Sequence, residues 1–214
     1  MPLIDKYLKG IDFNLKFSGG FLYLNPNIQD IPLKSVKQLQ FNSLYPQLIV
    51  EISKLDYNFN NDQKTQVEID KFIKMWNYFQ DNKLDIRSND PEKYVSIKTE
   101  INRFYGKISK TTPQYPQIIS AYLNNYYRDL LKVNGQKILY IDTDTIFFID
   151  EIDLLEFDIS HDIMDVEYIL FLENKRYIMK KTEIQTRGGG KNFQEAIDVL
   201  KRFIRDDKIK ELGL

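Results

Sequence analysis

The architecture of this chain is set by the segment Tyr140-Ile141-Asp142-Thr143-Asp144-Thr145-Ile146-Phe147-Phe148. Its apolar ends predict two short strands, and its polar centre predicts a tight turn between them. Side chains at i and i+2 of a strand point to the same side, so we expect Asp142 and Asp144 to face one spot. Two carboxylates held that close favour a divalent cation. Asp and Thr are also ordinary turn residues, so this segment alone is equally compatible with a polar hairpin tip.

The composition is typical of a folded globular protein. Of 214 residues, 43% are hydrophobic, including 14 Tyr and 14 Phe, which is enough for a sizeable core. The 30 basic and 31 acidic residues nearly cancel, so any affinity for nucleic acid must come from local basic clusters. The absence of cysteine excludes disulfides and Cys-ligated metal sites. With no run of about 18 apolar residues and no signal peptide, we expect a cytoplasmic protein without membrane contact.

The spacing of apolar residues predicts an α+β fold rather than an alternating β-α-β pattern. Strands are expected at 15–24 (broken at Gly19-Gly20), 39–41, 166–172 and 176–180. Helices are expected at 61–82, at 91–105 with Gly106 as the stop, at 116–131 and at 193–205. The pattern therefore predicts a small antiparallel sheet that carries a helical insertion between Ile52 and Lys107.

Five short motifs occur in a recognisable order. They are Ser18-Gly19-Gly20-Phe21, Gln40-Phe41-Asn42-Ser43-Leu44-Tyr45-Pro46, Lys98-Thr99-Glu100-Ile101-Asn102-Arg103-Phe104-Tyr105-Gly106, Tyr140 to Thr145, and Asn174-Lys175-Arg176-Tyr177. In this order they resemble the Gly-Gly element, motif A, motif B, motif C and the Lys-x-Tyr element of family B DNA polymerases. The likeness is closest to the protein-primed viral and plasmid branch, and it covers nearly the whole chain. Each motif alone is a weak signal, but five in the family's order indicate homology.

The resemblance implies a domain organisation. An antiparallel-sheet palm would comprise 1–52 and 108–165, a helical-hairpin fingers element 53–107, and the end of the palm with a rudimentary thumb 166–214. The chain begins almost at the Gly-Gly element, and roughly 50 residues separate motifs A and B. We therefore expect a minimal core without the exonuclease domain or the family's large insertions. A separate exonuclease or other replication subunit is an expected partner.

The resemblance also implies a chemistry, which is two-metal nucleotidyl transfer with Mg²⁺ or Mn²⁺. The substrates would be a primed DNA template and deoxynucleoside triphosphates. Asp144 would bridge the two ions, and Asp142 would be a weaker ligand or a nearby charge. This chemistry places two divalent ions about 3.5 to 4 Å apart.

A second group of residues would bind the nucleotide. Lys98, Asn102 and Tyr105 recur at spacings of four and three, which places them on one helix face. The resemblance implies that Lys98 pairs with the triphosphate and that Asn102 and Tyr105 line the base and sugar. It further implies that the backbone amides of motif A cradle phosphates and that Tyr45 excludes a 2′-hydroxyl; these residues are Asn42, Ser43, Leu44 and Tyr45. The alternative for Lys98 and Tyr105 is an ordinary solvated lysine beside a packed tyrosine. The alternative for Tyr45 is a core aromatic residue before a helix-starting proline, Pro46.

A third group would contact DNA. By resemblance, the Gly-Gly element touches the template and the Lys-x-Tyr element grips the primer terminus. The concentration of basic residues near the C-terminus further suits contacts to the phosphates of primer and template. The residues concerned are Gly19, Gly20, Lys175, Arg176, Tyr177, Arg187 and Lys191. A solvated charged face is the commoner origin of such a cluster.

The chain departs from the family at three positions. Gln40 stands where motif A carries its metal-binding Asp, Arg103 where motif B has Ser, and Thr145 where motif C has Ser. Loss of a metal-binding carboxylate is expected to slow the chemistry by several orders of magnitude. Three hypotheses stay open: a polymerase of low or partner-dependent activity, an inactive polymerase-like module that binds DNA or a replication partner, and an unrelated α+β protein with a structural cation.

Overall fold

The computed structural model describes residues 20–54, 63–111, 114–155, 159–173, 175–188 and 193–213. Gly19, Asn174 and Lys191 lie outside these ranges. The described strands are β1 (Leu22–Leu24), β2 (Pro32–Phe41), β3 (Ile138–Asp142), β4 (Thr145–Phe148), β5 (His161–Glu173), β6 (Arg176–Lys180) and β7 (Ile184–Arg187). The described helices are α1 (Leu44–Ser53), α2 (Gln63–Asn89), α3 (Pro91–Thr111), α4 (Gln114–Asn134) and α5 (Phe193–Glu211).

The seven strands form one antiparallel sheet in the order β1-β3-β4-β2-β5-β6-β7. The sheet is curled, as two ring contacts show. The Tyr140 ring of β3 lies 5.3 Å from the Phe171 ring of β5 and 5.8 Å from the Tyr177 ring of β6. Strands β4 and β2 separate β3 from β5 in the sheet order. The curl encloses an aromatic and aliphatic core that includes Phe147, Val166 and Ile169. The predicted α+β fold with an antiparallel sheet is confirmed.

Several strands differ from the prediction. β2 begins at Pro32 rather than near 39, because its polar half pairs with β5 from Pro32 to Phe41. β5 correspondingly begins at His161 rather than at 166. β7 was not predicted; it is a short edge strand of half-buried and exposed residues that pairs with β6. Its polar sequence carries no apolar alternation by which a strand is recognised.

The helices are longer than predicted. α3 passes through Gly106 to Thr111, so the predicted stop at Gly106 is wrong. A glycine costs a helix interior only about 1 kcal/mol. Burial of Ile101 and Ile108 on either side of Gly106 offsets that cost. α2 likewise extends to Asn89, and Val67, predicted on its apolar stripe, is 45% exposed.

The chain divides into two compact units, one containing Ser43–Asn125 and the other Gly20–Asn42 with Tyr126–Leu214. In the first, α2 and α3 pack through aromatic rings, with the Phe72 and Phe104 rings stacked 4.2 Å apart. In the second, α5 covers the outer face of β5 and β6 through Leu200. Asp207 fixes that helix, since its carboxylate accepts hydrogen bonds from Lys34 and from the Tyr168 hydroxyl, each at 3.0 Å. Within the described ranges, no helix is both long and apolar enough to cross a bilayer.

Candidate active site

The acidic hairpin forms as predicted, with Asp142 opposite Thr145 in the β3–β4 register. Thr143, at the tip, adopts a left-handed backbone with φ of 50°. Such a conformation is uncommon for a non-glycine residue. Neighbouring groups hold it in place: the Thr143 N–H donates to the Phe21 carbonyl at 2.9 Å, and the Tyr127 hydroxyl donates to the Thr143 carbonyl. The tip that carries the two carboxylates is therefore anchored from two sides.

Gly20, two residues before β1, lies very close to this tip. A Cβ atom placed on Gly20 would lie 1.8 Å from Thr143 Oγ1, far inside contact distance. A side chain at position 20 would displace the hairpin tip. The structure thus gives Gly20 a packing role, alongside the DNA contact that the resemblance implies.

One row of residues crosses five strands at the level of the acidic hairpin. In the registers of neighbouring strands, the row runs Leu22, Asp142, Thr145, Gln40 and Asp162. Residues directly opposite each other on adjacent strands point to the same face of the sheet. Two acids and one amide therefore share one face with the Thr145 side chain.

Gln40, at the motif A position, makes two hydrogen bonds within this row. Its Nε2 donates to the backbone carbonyl oxygen of Asp144 at 3.1 Å, and its Oε1 accepts from the Thr145 hydroxyl at 2.7 Å. The Thr145 hydroxyl also lies 3.3 Å from the Asp144 carboxylate. The amide thus binds β2 to the residue that carries the central carboxylate.

The Asp144 carboxylate has a raised pKa, and burial of the group is the main cause. Hydrogen bonds from its own backbone N–H and from the Thr145 and Gln40 side chains oppose the rise, and repulsion by Asp142 adds to it. A buried carboxylate beside a second acid favours either a proton or a cation as its partner.

The donor set suits a hard divalent cation, since Asp142 and Asp144 offer carboxylate oxygens and Mg²⁺ and Mn²⁺ prefer oxygen ligands. Among the described residues, however, no three His, Cys, Asp or Glu side chains are grouped closely enough to hold one metal ion together. Asp142 and Asp144 are therefore the carboxylates that the hairpin places beside Gln40 and Thr145 in the described part of the chain.

The Lys-x-Tyr element lies on the same curled sheet. The Lys175 backbone N–H donates to the Tyr140 hydroxyl at 3.0 Å, and Tyr177 packs on Phe147 with ring centroids 5.0 Å apart. Burial raises the pKa of the Tyr177 hydroxyl to about 12. The positive charge of Arg187, which lies opposite Tyr177 on β7, acts in the other direction and lowers this pKa. Lys175, Tyr177 and Arg187 therefore belong to the unit that holds the acidic hairpin.

Part of the predicted basic cluster is already paired. Arg176 forms an ion pair with Glu173 at 2.5 Å and lies over the Phe193 ring at 5.0 Å, and Lys180 pairs with Glu167. These two cations are partly neutralised within the chain. Gly19 and Lys191, also predicted to contact DNA, lie outside the described residues.

The nucleotide-binding candidates Ser43, Leu44, Tyr45, Lys98, Asn102 and Tyr105 lie in the helical unit. There, the Tyr45 ring of α1 lies 4.4 Å from the Tyr105 ring of α3, so motifs A and B meet through their tyrosines. Burial, and then the proximity of Tyr45, raise the pKa of Tyr105 to about 12.

Lys98 and Asn102 are exposed, and Lys98 Nζ lies 5.9 Å from the centre of the Tyr94 ring. Ser43 precedes α1 in a left-handed conformation, and Leu44 is buried.

Asn42 belongs to the sheet unit and donates two hydrogen bonds, one to Ser160, which precedes β5, and one to Asp162 of β5. Its backbone N–H donates to the Ser160 carbonyl at 2.9 Å, and its Nδ2 donates to the Asp162 carboxylate at 3.1 Å. Sequence analysis missed Asp162, because the pairing of β2 with β5 spans more than a hundred residues. The local sequence offers one signal, which is that the spacing of Asp162, Met164 and Val166 places them on one face of a strand.

Comparison with known proteins finds no family model that matches the chain and no similar curated sequence. Among solved structures, the family B DNA polymerase of the hyperthermophilic archaeon Pyrobaculum calidifontis is similar in fold, with a TM-score of 0.51 and 14% identity. The match covers 94% of this chain and 36% of the archaeal one. Likeness at this identity concerns the fold alone. The chain thus has a polymerase-like α+β fold, similar to part of a family B DNA polymerase.

Proposed function

We propose that the chain is the core of a DNA-directed DNA polymerase of family B, from the protein-primed branch. The observation that carries the proposal is the pairing of the motif C hairpin with the motif A strand, with Gln40 directly opposite Thr145. Two motifs more than a hundred residues apart thereby form one site that carries Asp142 and Asp144. The likeness in fold to a family B polymerase supports the same assignment.

In the proposed reaction, the primer 3′-hydroxyl oxygen attacks the α-phosphorus of a deoxynucleoside triphosphate, and the bond to pyrophosphate breaks. Two Mg²⁺ or Mn²⁺ ions would activate the hydroxyl and stabilise the charge on the phosphates. Asp144 and Asp142 would hold these ions. Tyr177 and Lys175 would position the primer terminus, while Gly20 and Arg187 would lie along the DNA.

The helical unit would bind the incoming nucleotide. Lys98 would neutralise the triphosphate, and Asn102 and Tyr105 would line the base and sugar. The N-terminus of α1 after Ser43 would face the phosphates, because the first N–H groups of a helix lack intrahelical partners. Tyr45 would sit beneath the sugar and exclude ribonucleotides.

The proposal includes the organisation expected from the motifs: palm at 1–52 and 108–165, fingers at 53–107, and the end of the palm with a small thumb at 166–214. A separate exonuclease or other replication subunit would complete the enzyme, which would work in the cytoplasm, or in the host cytoplasm if a virus encodes it.

Gln40 favours a second candidate, a polymerase-like module that binds DNA or a replication partner without catalysis. Its amide donates to the Asp144 carbonyl and accepts from the Thr145 hydroxyl, which is a structural role that needs no metal ion.

Primer extension separates the two candidates. The assay uses a short primed template with four deoxynucleotides in Mg²⁺ or Mn²⁺, and compares the natural chain with Asp144→Asn and Asp165→Asn. Asp165 is an exposed acid of β5 that lies opposite Lys37 in the β2–β5 register and does not belong to the row that contains Gln40. Extension by the natural chain and by Asp165→Asn, abolished in Asp144→Asn, supports the polymerase. Template binding without extension in any variant supports the module.

A further inference from the structure

We propose that the chain self-associates, with the C-terminal end of α5 in one copy seated in a groove between α5 and the β5–β6 pair of a second copy. The inference goes beyond the proposed polymerase function and stands independently of it. It joins two surfaces that carry opposite charge and that both contain apolar side chains.

The groove is an open cavity of about 420 Å³ within the sheet unit. Leu170 and Leu172 of β5 and Val199 of α5 supply its apolar lining. Asp30 and Glu195, which are both exposed, line it as well. Ligand-binding pockets commonly have volumes of about 300–1,000 Å³, so the groove is large enough to receive side chains of a partner.

The groove is acidic. Among its described lining residues, three are acids and one is an arginine, which gives a net charge of −2. The arginine, Arg176, forms an ion pair with Glu173 at 2.5 Å and lies over the Phe193 ring at 5.0 Å, so its charge is used within the chain. In the described ranges, no Lys or Arg forms an ion pair with Asp30 or Glu195. Electrostatic complementarity therefore favours a cationic, partly apolar partner.

The far end of α5 presents such a surface, which we call the tail patch: Lys208, Ile209 and Leu212. Ile209 is 40% exposed and Leu212 is 74% exposed. Lys208 is exposed too, and within the described part of the chain it forms no ion pair with an acid. The Leu212 N–H donates to the Lys208 carbonyl at 3.2 Å, so the helical spacing continues to Leu212. Spacings of three and four place Leu212 on one side with Ile209 and Lys208.

The tail patch is presented on an anchored helix. The Asp207 carboxylate accepts hydrogen bonds from Lys34 and Tyr168, each at 3.0 Å, and Lys34 also lies 3.8 Å from the Glu211 carboxylate. These contacts fix the end of α5 against the sheet. A surface that is already ordered loses less conformational entropy when it binds.

The tail patch cannot fill the groove of its own chain. Glu195 and Ile209 lie on the same continuous helix. At a rise of 1.5 Å per residue they are about 20 Å apart along its axis. The contact therefore joins two copies of the chain.

The groove lies on the outer face of the sheet. Leu170 packs with α5, whereas its neighbour Phe171 packs with Tyr140 on the inner face. Successive residues of a strand point to opposite faces. Asp142 shares a strand face with Tyr140, so a second copy bound in the groove occupies the face opposite to the one that carries Asp142.

The first test is the oligomeric state of the whole chain in solution. Analytical ultracentrifugation from roughly 5 to 500 µM, at low and at high salt, measures it. We expect weak, reversible association with a Kd on the order of 10–100 µM at low salt, because the contact is small. High salt should weaken it, because the contact pairs opposite charges. A chain that stays monomeric throughout overturns the inference and leaves the groove for another occupant, such as a basic segment of a different protein.

Charge reversal on each surface tests which residues take part. We expect Glu195→Lys and Lys208→Glu each to weaken association by roughly tenfold or more. The matched controls are Asp198→Lys and Lys201→Glu, which alter exposed residues of α5 outside the groove lining and the tail patch. Each control should change the Kd by less than about threefold. Circular dichroism and thermal unfolding check that all four variants fold, and an equal loss in the controls overturns the inference.

A mixing experiment distinguishes a specific contact from a damaged fold. Glu195→Lys retains an intact tail patch, and Lys208→Glu retains an intact groove. A one-to-one mixture should therefore associate, although neither variant does so alone. A mixture that stays as monomeric as its two components contradicts the proposed contact.

Discussion

The Gln40 side chain donates a hydrogen bond to the backbone carbonyl oxygen of Asp144 at 3.1 Å, across the β2–β4 pair. In a family B polymerase site the equivalent residue is expected to be a metal-binding acid. Here it is a neutral residue whose donor and acceptor are both used, because its Oε1 accepts from Thr145. Replacing it therefore changes the support of Asp144 as well as the charge of the site.

Gln40→Asp is expected to destabilise the metal-free protein at neutral pH. The shorter side chain loses the bond to Asp144, and the new carboxylate repels Asp144, together costing about 1–3 kcal/mol. Gln40→Asn is the matched control, since it is equally short but neutral, and we expect it to lose about 1 kcal/mol. Chemical unfolding with and without Mn²⁺ measures both. Mn²⁺ should recover Gln40→Asp selectively; equal stability of the two variants in both conditions contradicts the prediction.

The raised pKa of Asp144 predicts a specific pH dependence of stability. The unfolded carboxyl ionises near its ordinary value of 3.8, whereas the folded one holds its proton to higher pH. As pH rises above 3.8, the unfolded chain loses this proton while the folded chain still holds it. The free energy of unfolding therefore falls as pH rises from 3.8 through the raised pKa of the folded Asp144 carboxyl. Urea unfolding across this range should show the metal-free natural chain losing stability relative to Asp144→Asn. A difference that does not vary with pH would rule this out.

Gly20→Ala should disturb the hairpin tip. The added methyl group meets Thr143 Oγ1 at 1.8 Å, so the tip must move, at a cost of about 1–3 kcal/mol. Gly106→Ala is the internal contrast, because its Cβ meets no atom within 4 Å and the residue lies inside α3. That change should stabilise the protein by about 0.5–1 kcal/mol. Thermal unfolding compares the two, and an equal effect of both alanines would refute the packing role of Gly20.

Tyr45 tests the proposed sugar discrimination. Tyr45→Val removes the ring that packs 4.4 Å from Tyr105, and opens the space where a 2′-hydroxyl would collide. We expect incorporation of ribonucleotides relative to deoxynucleotides to rise by roughly tenfold or more. Tyr45→Phe keeps the ring and should leave the ratio nearly unchanged. The measurement is single-nucleotide extension with matched ribo- and deoxynucleotides; a Tyr45→Val ratio like that of Tyr45→Phe would exclude Tyr45 as the discriminator.

Local pattern was sufficient for much of the fold. The acidic hairpin, the long helices and the antiparallel sheet all follow from apolar spacing over a few residues, and β3 and β4 lie where the hairpin segment predicts them. The stop at Gly106 failed because glycine is only a weak helix breaker, and buried neighbours on α3 outweigh it. β7 was missed because an exposed edge strand has little apolar pattern to detect.

The site was less predictable, because it depends on pairing between distant strands. The position of Gln40 in motif A was clear from the motif, but its bonds to Asp144 and Thr145 follow only from the β2–β4 register. Asp162 was invisible for the same reason, since nothing near residue 162 indicates that it will lie beside Gln40. The close approach of Gly20 to Thr143 also depends on a tertiary contact that no local spacing encodes.

The position of β2 between β4 and β5 has a consequence for how the chain folds. The residues joined by the Gln40–Asp144 hydrogen bond are 104 apart in sequence, and the helical unit is synthesised between them. Contacts this distant carry a large loop-closure cost, so they form slowly. During translation the segment Ser43–Asn125 emerges before either sheet neighbour of β2. The helices can therefore fold as a unit while β2 still waits for partners, and formation of the acidic site is a late event in folding.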